Sequence, residues 1–366
     1  PFQIDKGQQR IMHSSTRDFE PTQNTDQIKK SELCATCHTL FTTALDANGK
    51  QVGELPEQMP YPEWLNSDYR NQKTCQDCHM PESPGPAPIT RVFGSPREGM
   101  KRHQFVAANF FMQRMLNRYR DDLAVTALPE ELSHAADRTV EFLKTQSARV
   151  SIANAQAAGG RLQADVTVEN LSGHKLPTAY PSRRAWLHFV VTDAKGSVLF
   201  ESGKVRADGS IAGNDNDEDA ARFEPHYREI ARADQVEIYE DIMGDPQNRV
   251  TTGILTGTHY LKDNRLLPKG FNKAAAEANI AVIGDAANDP AFTGGSSRVR
   301  YSVPLNGASG QLTVRVELWY QPIGFRWANN LKSYNAAEPK RFTTWFDEMG
   351  PGTAEILAES TTVIPE

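Results

Sequence analysis

The chain has 366 residues, enough for two ordinary domains, and its 39% hydrophobic and 23% charged residues are typical of a soluble globular protein. A formal net charge of −6 does not suggest nucleic-acid binding. The sequence contains no apolar run of about 18 residues, so it predicts no membrane-spanning helix. The chain begins at Pro1 without a charged-then-apolar leader. We therefore expect either a removed leader or a longer precursor, which could contain further motifs upstream.

The first part of the chain, residues 1–145, shows little strand pattern and contains all four cysteines. Turn-rich and proline-rich segments separate short predicted helices in this part. The helices are predicted over 31–40, from 63 onward, over 103–120 and from Pro129 to about 145, where the proline suits a first turn; the turn-rich segment spans 48–62 and the proline-rich loop spans 81–88.

From about residue 146 the pattern changes to alternating apolar and polar residues, which predicts strands. Several short strands with turns between them suggest a β-sandwich. The predicted strands cover 162–168, 187–191, 197–200, 298–303 and 312–320, with a hairpin turn over 193–196. Residues 207–296 form a long insertion in this scheme, and 326–366 are predicted to be a helical tail that packs back through Phe342, Trp345, Phe346 and Met349.

The four cysteines form two C-x-x-C pairs, and a histidine follows each pair at once: Cys34-Ala35-Thr36-Cys37-His38 and Cys75-Gln76-Asp77-Cys78-His79. Two thiols at this spacing can reach the two vinyl groups on one edge of a porphyrin. The next residue then lies beneath the iron, where a histidine supplies an imidazole nitrogen. The motifs therefore predict two covalently attached haem c groups.

Two other interpretations of the cysteines were weighed. A Cys₄ zinc site also uses two C-x-x-C pairs, and two short disulfides or a thioredoxin-like redox pair would use the same thiols. Both interpretations leave the histidines that follow the pairs unexplained. Thioether attachment predicts a location in the periplasm or outside the cell, which fits the absence of any spare cysteine.

Three stretches resemble bacterial multihaem cytochromes c: 33–40, 75–81 and Asn170-Leu171-Ser172-Gly173-His174-Lys175-Leu176-Pro177-Thr178. The last is similar to a Gly-His-x-x-Pro-Thr element in β-domains attached to such cytochromes. The resemblance implies periplasmic or extracellular electron transfer, although many relatives carry more than two haems. The expected fold is α+β and multidomain: a mostly α and loop dihaem cytochrome c domain (1–145), an Ig-like β-sandwich domain (146–325) and the helical tail.

His38 and His79 are the predicted proximal iron ligands. Bis-histidine ligation is preferred because several histidines lie near the motifs, and the candidates for the distal position are, in order, His103, His174, His13 and His134. His103 opens the predicted Phe- and Met-rich helix, whereas His174 lies in a tight turn at the end of a strand. His13 precedes the first motif, and His134 lies on a predicted helix.

The remaining candidate ligands are less suitable. Met80 adjoins His79 and cannot reach the opposite face of the same haem, and Met112 and Met115 fit core packing better than ligation, with Met100 as a further candidate. His188, His226 and His259 are predicted to be structural or exposed. The acidic run 215–219 resembles the start of a calcium-binding loop and suggests an irregular calcium site. An EF-hand is not predicted, because position 220 would need glycine and is alanine, and position 226 would need glutamate and is histidine.

Three hypotheses for function follow. The first is electron transfer through two close, six-coordinate haems, with redox proteins as partners and a basic partner surface favoured by the acidic chain and the haem propionates. The second is an oxidoreductase with one open iron, acting on nitrite, hydroxylamine or a sulfur compound, with Arg183 and Arg184 as anion ligands unless they form ion pairs. The third is a haem relay subunit of a larger assembly or homo-oligomer.

Overall fold

The computed structural model describes residues 29–88 and 95–366. The protein is 25% helical and 32% strand, so the α+β class and the multidomain character of the prediction agree with the structure. His13 lies outside the described residues. No described helix combines the length and the apolar character that crossing a bilayer requires.

The part of the chain before residue 147 consists of short elements that flank the two cysteine motifs. Two antiparallel ladders, β1–β2 and β3–β4, lie among the helices. The elements are α1 (Glu32–Ala35), β1 (Leu40–Leu45), β2 (Gln51–Gln58), α2 (Pro60–Leu65), α3 (Cys75–His79), β3 (Ala87–Pro88), β4 (Pro96–Arg97), α4 (Phe110–Arg118) and α5 (Pro129–Gln146). The sequence pattern indicated turns where the β1–β2 hairpin lies, so this hairpin was not predicted.

The two longer helices of this part had different outcomes. Helix α5 begins at Pro129 as predicted, and the backbone N–H of Leu128 donates to the Glu131 carboxylate at 2.9 Å. The helix predicted over 103–120 is wrong at its start, because His103 lies in a turn and α4 begins only at Phe110. Asn109 caps α4 by accepting a hydrogen bond from the Met112 N–H at 3.2 Å.

The rest of the chain is rich in strands. Its elements are β5 (Ala148–Ala158), β6 (Arg161–Asn170), β7 (Arg184–Asp193), β8 (Val198–Ser202), α6 (Asp215–Glu218), β9 (Glu229–Ile230), β10 (Ile238–Tyr239), β11 (Asp241–Gly244), β12 (Val250–Thr251), β13 (His259–Asp263), β14 (Phe292–Thr293), β15 (Ser296–Pro304), β16 (Leu312–Gln321), α7 (Phe325–Asn330), α8 (Ala337–Glu348) and β17 (Glu355–Ile364). The five strands predicted from alternation are confirmed by β6, β7, β8, β15 and β16.

Among the described residues, ten of these strands form two five-stranded sheets, and the other three form a smaller sheet in the order β12-β11-β13. One five-stranded sheet has the order β14-β15-β6-β5 with β9 beside β15, and the other has the order β10-β7-β16-β17 with β8 beside β7. The two five-stranded sheets share a core in which the rings of Phe189 from β7 and Tyr301 from β15 stack with centroids 3.8 Å apart. Helix α4 packs on the same core, where Phe111 contacts Phe346 of α8 at a centroid distance of 5.5 Å. The core therefore joins the cysteine-rich part to the sheets.

Two predictions about the second half need correction or extension. The helical tail is wrong for its last part, because after α7 and α8 the chain forms β17, which pairs with β16 along its whole length. The predicted insertion 207–296 is no surface elaboration, since its residues Leu266, Leu267 and Phe271 are buried in the shared core. The same stretch reaches the cysteine-rich part, where the Asp68 N–H donates to the Lys269 carbonyl at 2.8 Å.

Candidate functional site

The two cysteine motifs lie side by side. The Cys75 N–H donates to the Ser31 hydroxyl at 3.1 Å, and the Gln76 side-chain amide donates to the Lys30 carbonyl at 2.9 Å. Burial, together with the adjacent, hydrogen-bonded Cys75 thiol, raises the pKa of the Cys34 thiol to about 11. Contacts between Cys34 and Cys75 place groups attached at the two motifs next to each other.

The second motif forms its own helix, α3. Asp77 caps the N-terminus of α3. Its carboxylate accepts hydrogen bonds from the Thr74 N–H at 2.8 Å and from the Thr74 hydroxyl at 2.9 Å. At the other end of α3, His79 Nδ1 donates to the Val106 carbonyl at 2.6 Å. This bond fixes the ring and leaves Nε2 as the nitrogen with a free lone pair.

The imidazole of His174 faces that of His79. The two rings are nearly parallel, at 9° to each other, and their centroids are 6.0 Å apart. His174 Nδ1 donates to the Lys175 carbonyl at 2.8 Å, so its Nε2 also has a free lone pair. Burial, together with the neighbouring His79, lowers the pKa of His174 to about 4, so the ring is neutral at neutral pH. Neither Nε2 has a hydrogen-bond partner in the part of the chain described.

This arrangement fits a metal ion held between two imidazoles. A metal–imidazole bond is about 2 Å long. Two such bonds, plus the distance from Nε2 to the centroid in each ring, add up to a value close to the observed distance between the ring centroids. Each ring donates its other nitrogen to a backbone carbonyl, which is the usual support for a metal-bound histidine. The donor set and its hydrogen bonds therefore suit axial ligation of a haem iron attached at the second motif.

His174 lies in a segment, residues 170–178, that we call the histidine turn. The Asn170 side-chain amide donates to the His174 carbonyl at 2.8 Å and to the Leu266 carbonyl at 2.9 Å. The Leu176–Pro177 bond is cis. The histidine turn contacts residues 60–73, the junction segment between the two motifs: a Cβ added at Gly173 would lie only 3.2 Å from the Trp64 ring. Glycine at this position permits that close approach.

The first motif has a different environment. His38 follows the short helix α1 and faces no other aromatic or imidazole ring within the described ranges. Its pKa is lowered, mainly by burial and also by the nearby charges of His79 and Arg183. Arg183 also lowers the pKa of His174, so its guanidinium lies near both predicted ligands. The structure thus brings His38, His79, His174 and Arg183 into one region.

The two arginines considered as anion ligands behave differently. Arg184 is buried and forms a bidentate ion pair with Asp217 at 2.8 and 2.9 Å. It therefore has the ion-pairing role that was the alternative to anion binding. Arg183 is half-buried and donates to the Thr178 carbonyl at 3.0 Å. In residues 29–88 and 95–366 it has no carboxylate partner. Arg183 is therefore a cation whose charge is not balanced by a described acid.

The other candidate ligands do not join this site. His103, first in the predicted order, is exposed in a turn next to Phe105, with ring centroids 5.8 Å apart, and His134 is exposed on α5. Met115 is buried in the core and Met112 packs against it, as their packing interpretation predicted. Each of the three histidines predicted to be structural hydrogen-bonds to side chains: His188 to Glu201 and Glu317, His226 to Glu237 and Asp289, and His259 to Thr258 and Asn248.

The zinc, disulfide and calcium interpretations find no support. All four cysteines are free, and among the described residues no three His, Cys, Asp or Glu side chains are arranged to hold a metal ion. The acidic run forms α6 and its carboxylates pair with arginines, since Asp217 binds Arg184 and Asp215 binds Arg222. The low-ranked calcium prediction is therefore not supported by the geometry of this loop.

One important residue of this region was missed by sequence reasoning. Glu63 was noted only as part of a short helix, yet it is fully buried and its carboxylate contacts the histidine turn. Its partners Lys175 and Thr178 are more than one hundred positions away along the chain. No local pattern could have signalled this contact.

Comparison with known proteins finds one structure with a similar fold. No family model matches the chain, and neither does any curated protein. One solved structure, a penta-heme cytochrome c552 from Thermochromatium tepidum, is similar with a TM-score of 0.50 and 17% sequence identity. The match covers 94% of this chain and 60% of that chain. At this identity the likeness concerns the fold alone, and it extends over less than two thirds of the length of the penta-heme cytochrome.

Proposed function

We propose that this protein transfers electrons through two haem c groups, one attached at Cys34 and Cys37 and the other at Cys75 and Cys78. A haem iron supplies reversible one-electron chemistry, and the protein tunes it through axial ligands, burial and hydrogen bonds. The contact between the two motifs supports direct exchange between the haems, because Cys34 and Cys75 lie within hydrogen-bond reach of each other. Thioether attachment supports a periplasmic or extracellular location.

The observation on which the proposal mainly rests is the parallel pair of imidazoles. We assign His79 as the proximal and His174 as the distal ligand of the second haem, with the rings 6.0 Å apart and each Nδ1 donated to a carbonyl. Bis-histidine iron changes oxidation state without binding substrate. This favours an electron carrier over an enzyme at the second motif.

At the first motif we assign His38 as the proximal ligand. Its distal ligand is left among His103 and His134, neither of which contacts His38 in the described ranges, and His13, which lies outside them. The proposal includes redox proteins as partners, with a basic surface that complements this acidic chain. It also includes an Ig-like β-sandwich arrangement of the two sheets.

A second function is favoured by one observation at the same motif. His38 faces no second imidazole in the described ranges, and the unbalanced guanidinium of Arg183 lies nearby. An iron at His38 with an open position and a cation beside it would suit reduction or oxidation of a small anion such as nitrite. A third function, a relay subunit in a larger haem assembly or homo-oligomer, would show as a larger native mass.

The experiment is a comparison of the haem-loaded wild type with His174→Ala. Mass spectrometry should give two haems per chain, and paramagnetic resonance should show low-spin signals. In His174→Ala we expect one iron to become high-spin and to bind carbon monoxide, whereas His259→Ala serves as the matched control, because His259 hydrogen-bonds to Thr258 and Asn248 and is no candidate ligand. A wild-type spectrum in His174→Ala would overturn the ligand assignment. Carbon monoxide binding by the wild-type protein would favour the enzyme.

A further inference from the structure

We propose that Glu63 is a positioning residue that holds the His174 imidazole at its distance from His79. This inference rests on the proposed function, because it concerns His174 as an iron ligand. It adds a residue from the junction segment, outside both cysteine motifs and outside the histidine turn, to the machinery of the iron site.

The Glu63 carboxylate binds the histidine turn on both sides of its proline. One oxygen, Oε2, accepts the Lys175 N–H at 3.1 Å and the Thr178 hydroxyl at 2.5 Å. Lys175 follows His174 directly, and its carbonyl accepts the hydrogen bond from His174 Nδ1. The peptide unit that orients the imidazole is therefore adjacent to the one held by Glu63.

The same short helix, α2, is tied to the second motif. Trp64, the neighbour of Glu63, donates from its indole nitrogen to the Lys73 carbonyl at 2.9 Å, two residues before Cys75. Further along the junction segment, the Tyr69 hydroxyl donates to the Leu171 carbonyl at 3.0 Å. The junction segment thus contacts both the approach to His79 and the turn that contains His174, so its position determines how far apart the two rings lie.

A buried cation keeps the Glu63 carboxylate in place. The side chain of Glu63 is fully buried, and its second oxygen lies 3.3 Å from the Arg265 guanidinium, which also binds Asp263 at 2.7 Å. An unpaired carboxylate would be costly at this depth, and the arginine offsets part of that cost. Because Arg265 belongs to the strand-rich part, the ion pair fixes α2 against the sheets as well as against the turn.

The test measures ligation in the haem-loaded protein. Glu63→Ala removes both hydrogen bonds to the turn, and bonds to a charged acceptor are the stronger kind, so the fraction of protein with His174 detached should rise at least about tenfold. This fraction is read as high-spin signal and as carbon monoxide binding. Glu63→Gln keeps an acceptor oxygen for the turn and should restore the low-spin spectrum.

The matched control is Glu317→Ala. Glu317 is also a buried glutamate with side-chain hydrogen bonds from His188 Nδ1 and the Trp319 indole nitrogen, both at 2.8 Å, and an ion pair with Arg315, and no described hydrogen bond joins it to the histidine turn. Its removal should leave the haem spectrum unchanged. If Glu63→Ala does not fold, Thr178→Val removes only one bond to Glu63 and should give a smaller rise in carbon monoxide binding.

The outcomes separate this inference from the proposed function. A low-spin, carbon monoxide-resistant spectrum in Glu63→Ala, or in Thr178→Val where the alanine variant is unfolded, overturns the positioning role while His174→Ala still loses its ligand. An equal rise in Glu317→Ala also overturns it, because general loosening would then explain the effect. A wild-type spectrum in His174→Ala overturns the ligand assignment itself.

Discussion

Replacing Asp241 by asparagine should stabilise the protein more at high pH than at low pH. Asp241 is buried on β11 behind the histidine turn, 3.2 Å from the Arg265 guanidinium that also contacts Glu63. Neither of its carboxylate oxygens makes a hydrogen bond in good geometry. Burial raises the pKa of Asp241 from 3.8 to about 7, because Arg265 offsets only part of the cost and Asp263 adds repulsion.

The size and sign of the effect follow from this pKa. A carboxyl group whose pKa is raised in the folded state binds its proton more tightly there, so folding becomes less favourable as pH rises from about 4 to 7. The interval from 3.8 to about 7 corresponds to roughly 4 kcal/mol, because a tenfold change in proton affinity is about 1.36 kcal/mol. At pH 5 a little over a third of this penalty has developed, so about 2–3 kcal/mol separates pH 5 from pH 8.5.

The assay is guanidinium unfolding of the haem-loaded wild type and Asp241→Asn at pH 5 and pH 8.5, at one ionic strength. The gain in unfolding free energy from the substitution should be about 2–3 kcal/mol larger at pH 8.5. Asp165→Asn on β6 is the control, because the pKa of Asp165 is lowered, although burial alone would raise it, since Asn154 and Arg300 favour the charged form. Its loss of stability should be similar at both pH values. An equal effect of Asp241→Asn at both pH values would refute the reasoning.

Two further predictions concern the surroundings of the site. Arg183→Gln should lower the reduction potential of a haem, because a cation disfavours the oxidised iron. The expected decrease is about 20–40 mV, equivalent to about 0.5–1 kcal/mol for one electron. Spectroelectrochemistry would measure it, and a rise in potential would contradict the prediction. Arg184→Gln should instead leave the potential unchanged and cost about 3–5 kcal/mol of stability, because it leaves a buried carboxylate unpaired. Gly270→Ala should cost about 2–4 kcal/mol in unfolding free energy, since its φ is +84° and the new Cβ would meet the Asp68 carboxylate at 2.1 Å. Gly49→Ala, with φ +77° and open space around it, should cost only about 1 kcal/mol, and equal costs for the two would contradict the clash.

The features that the sequence predicted well are local ones. The alternation of residues 312–320 reflects β16, whose apolar face is buried. In its sheet, β16 lies between β7 and β17. Pro129 marks the start of α5 because its fixed φ suits a first turn. In both cases the information lies within a few residues of the element. The same holds for the two cysteine motifs, which need only five consecutive residues each.

The features that the sequence did not predict depend on distant partners. His103 ranked above His174 because a Phe- and Met-rich segment follows it, but those residues, including Phe110 and Phe111, are buried in the core of the strand-rich part. Strand β17 was predicted as helix, since its pairing with β16 cannot be read from its own residues. Tertiary packing decided each of these cases against the local pattern.

The contacts around His174 also bear on how the site forms. His79 belongs to the cysteine-rich part, whereas His174 and Arg265 belong to the strand-rich part, and Glu63 binds across the two. If either part were unfolded, Glu63 would lose its partners and the two imidazoles would not face each other. The contacts that bury Glu63 and the contacts that set the distance between the two rings are therefore the same. It follows that a substitution that weakens the contacts of Glu63 at this boundary should weaken ligation of the second haem before it affects the pairing of strands β7 and β16, which involves neither Glu63 nor His174.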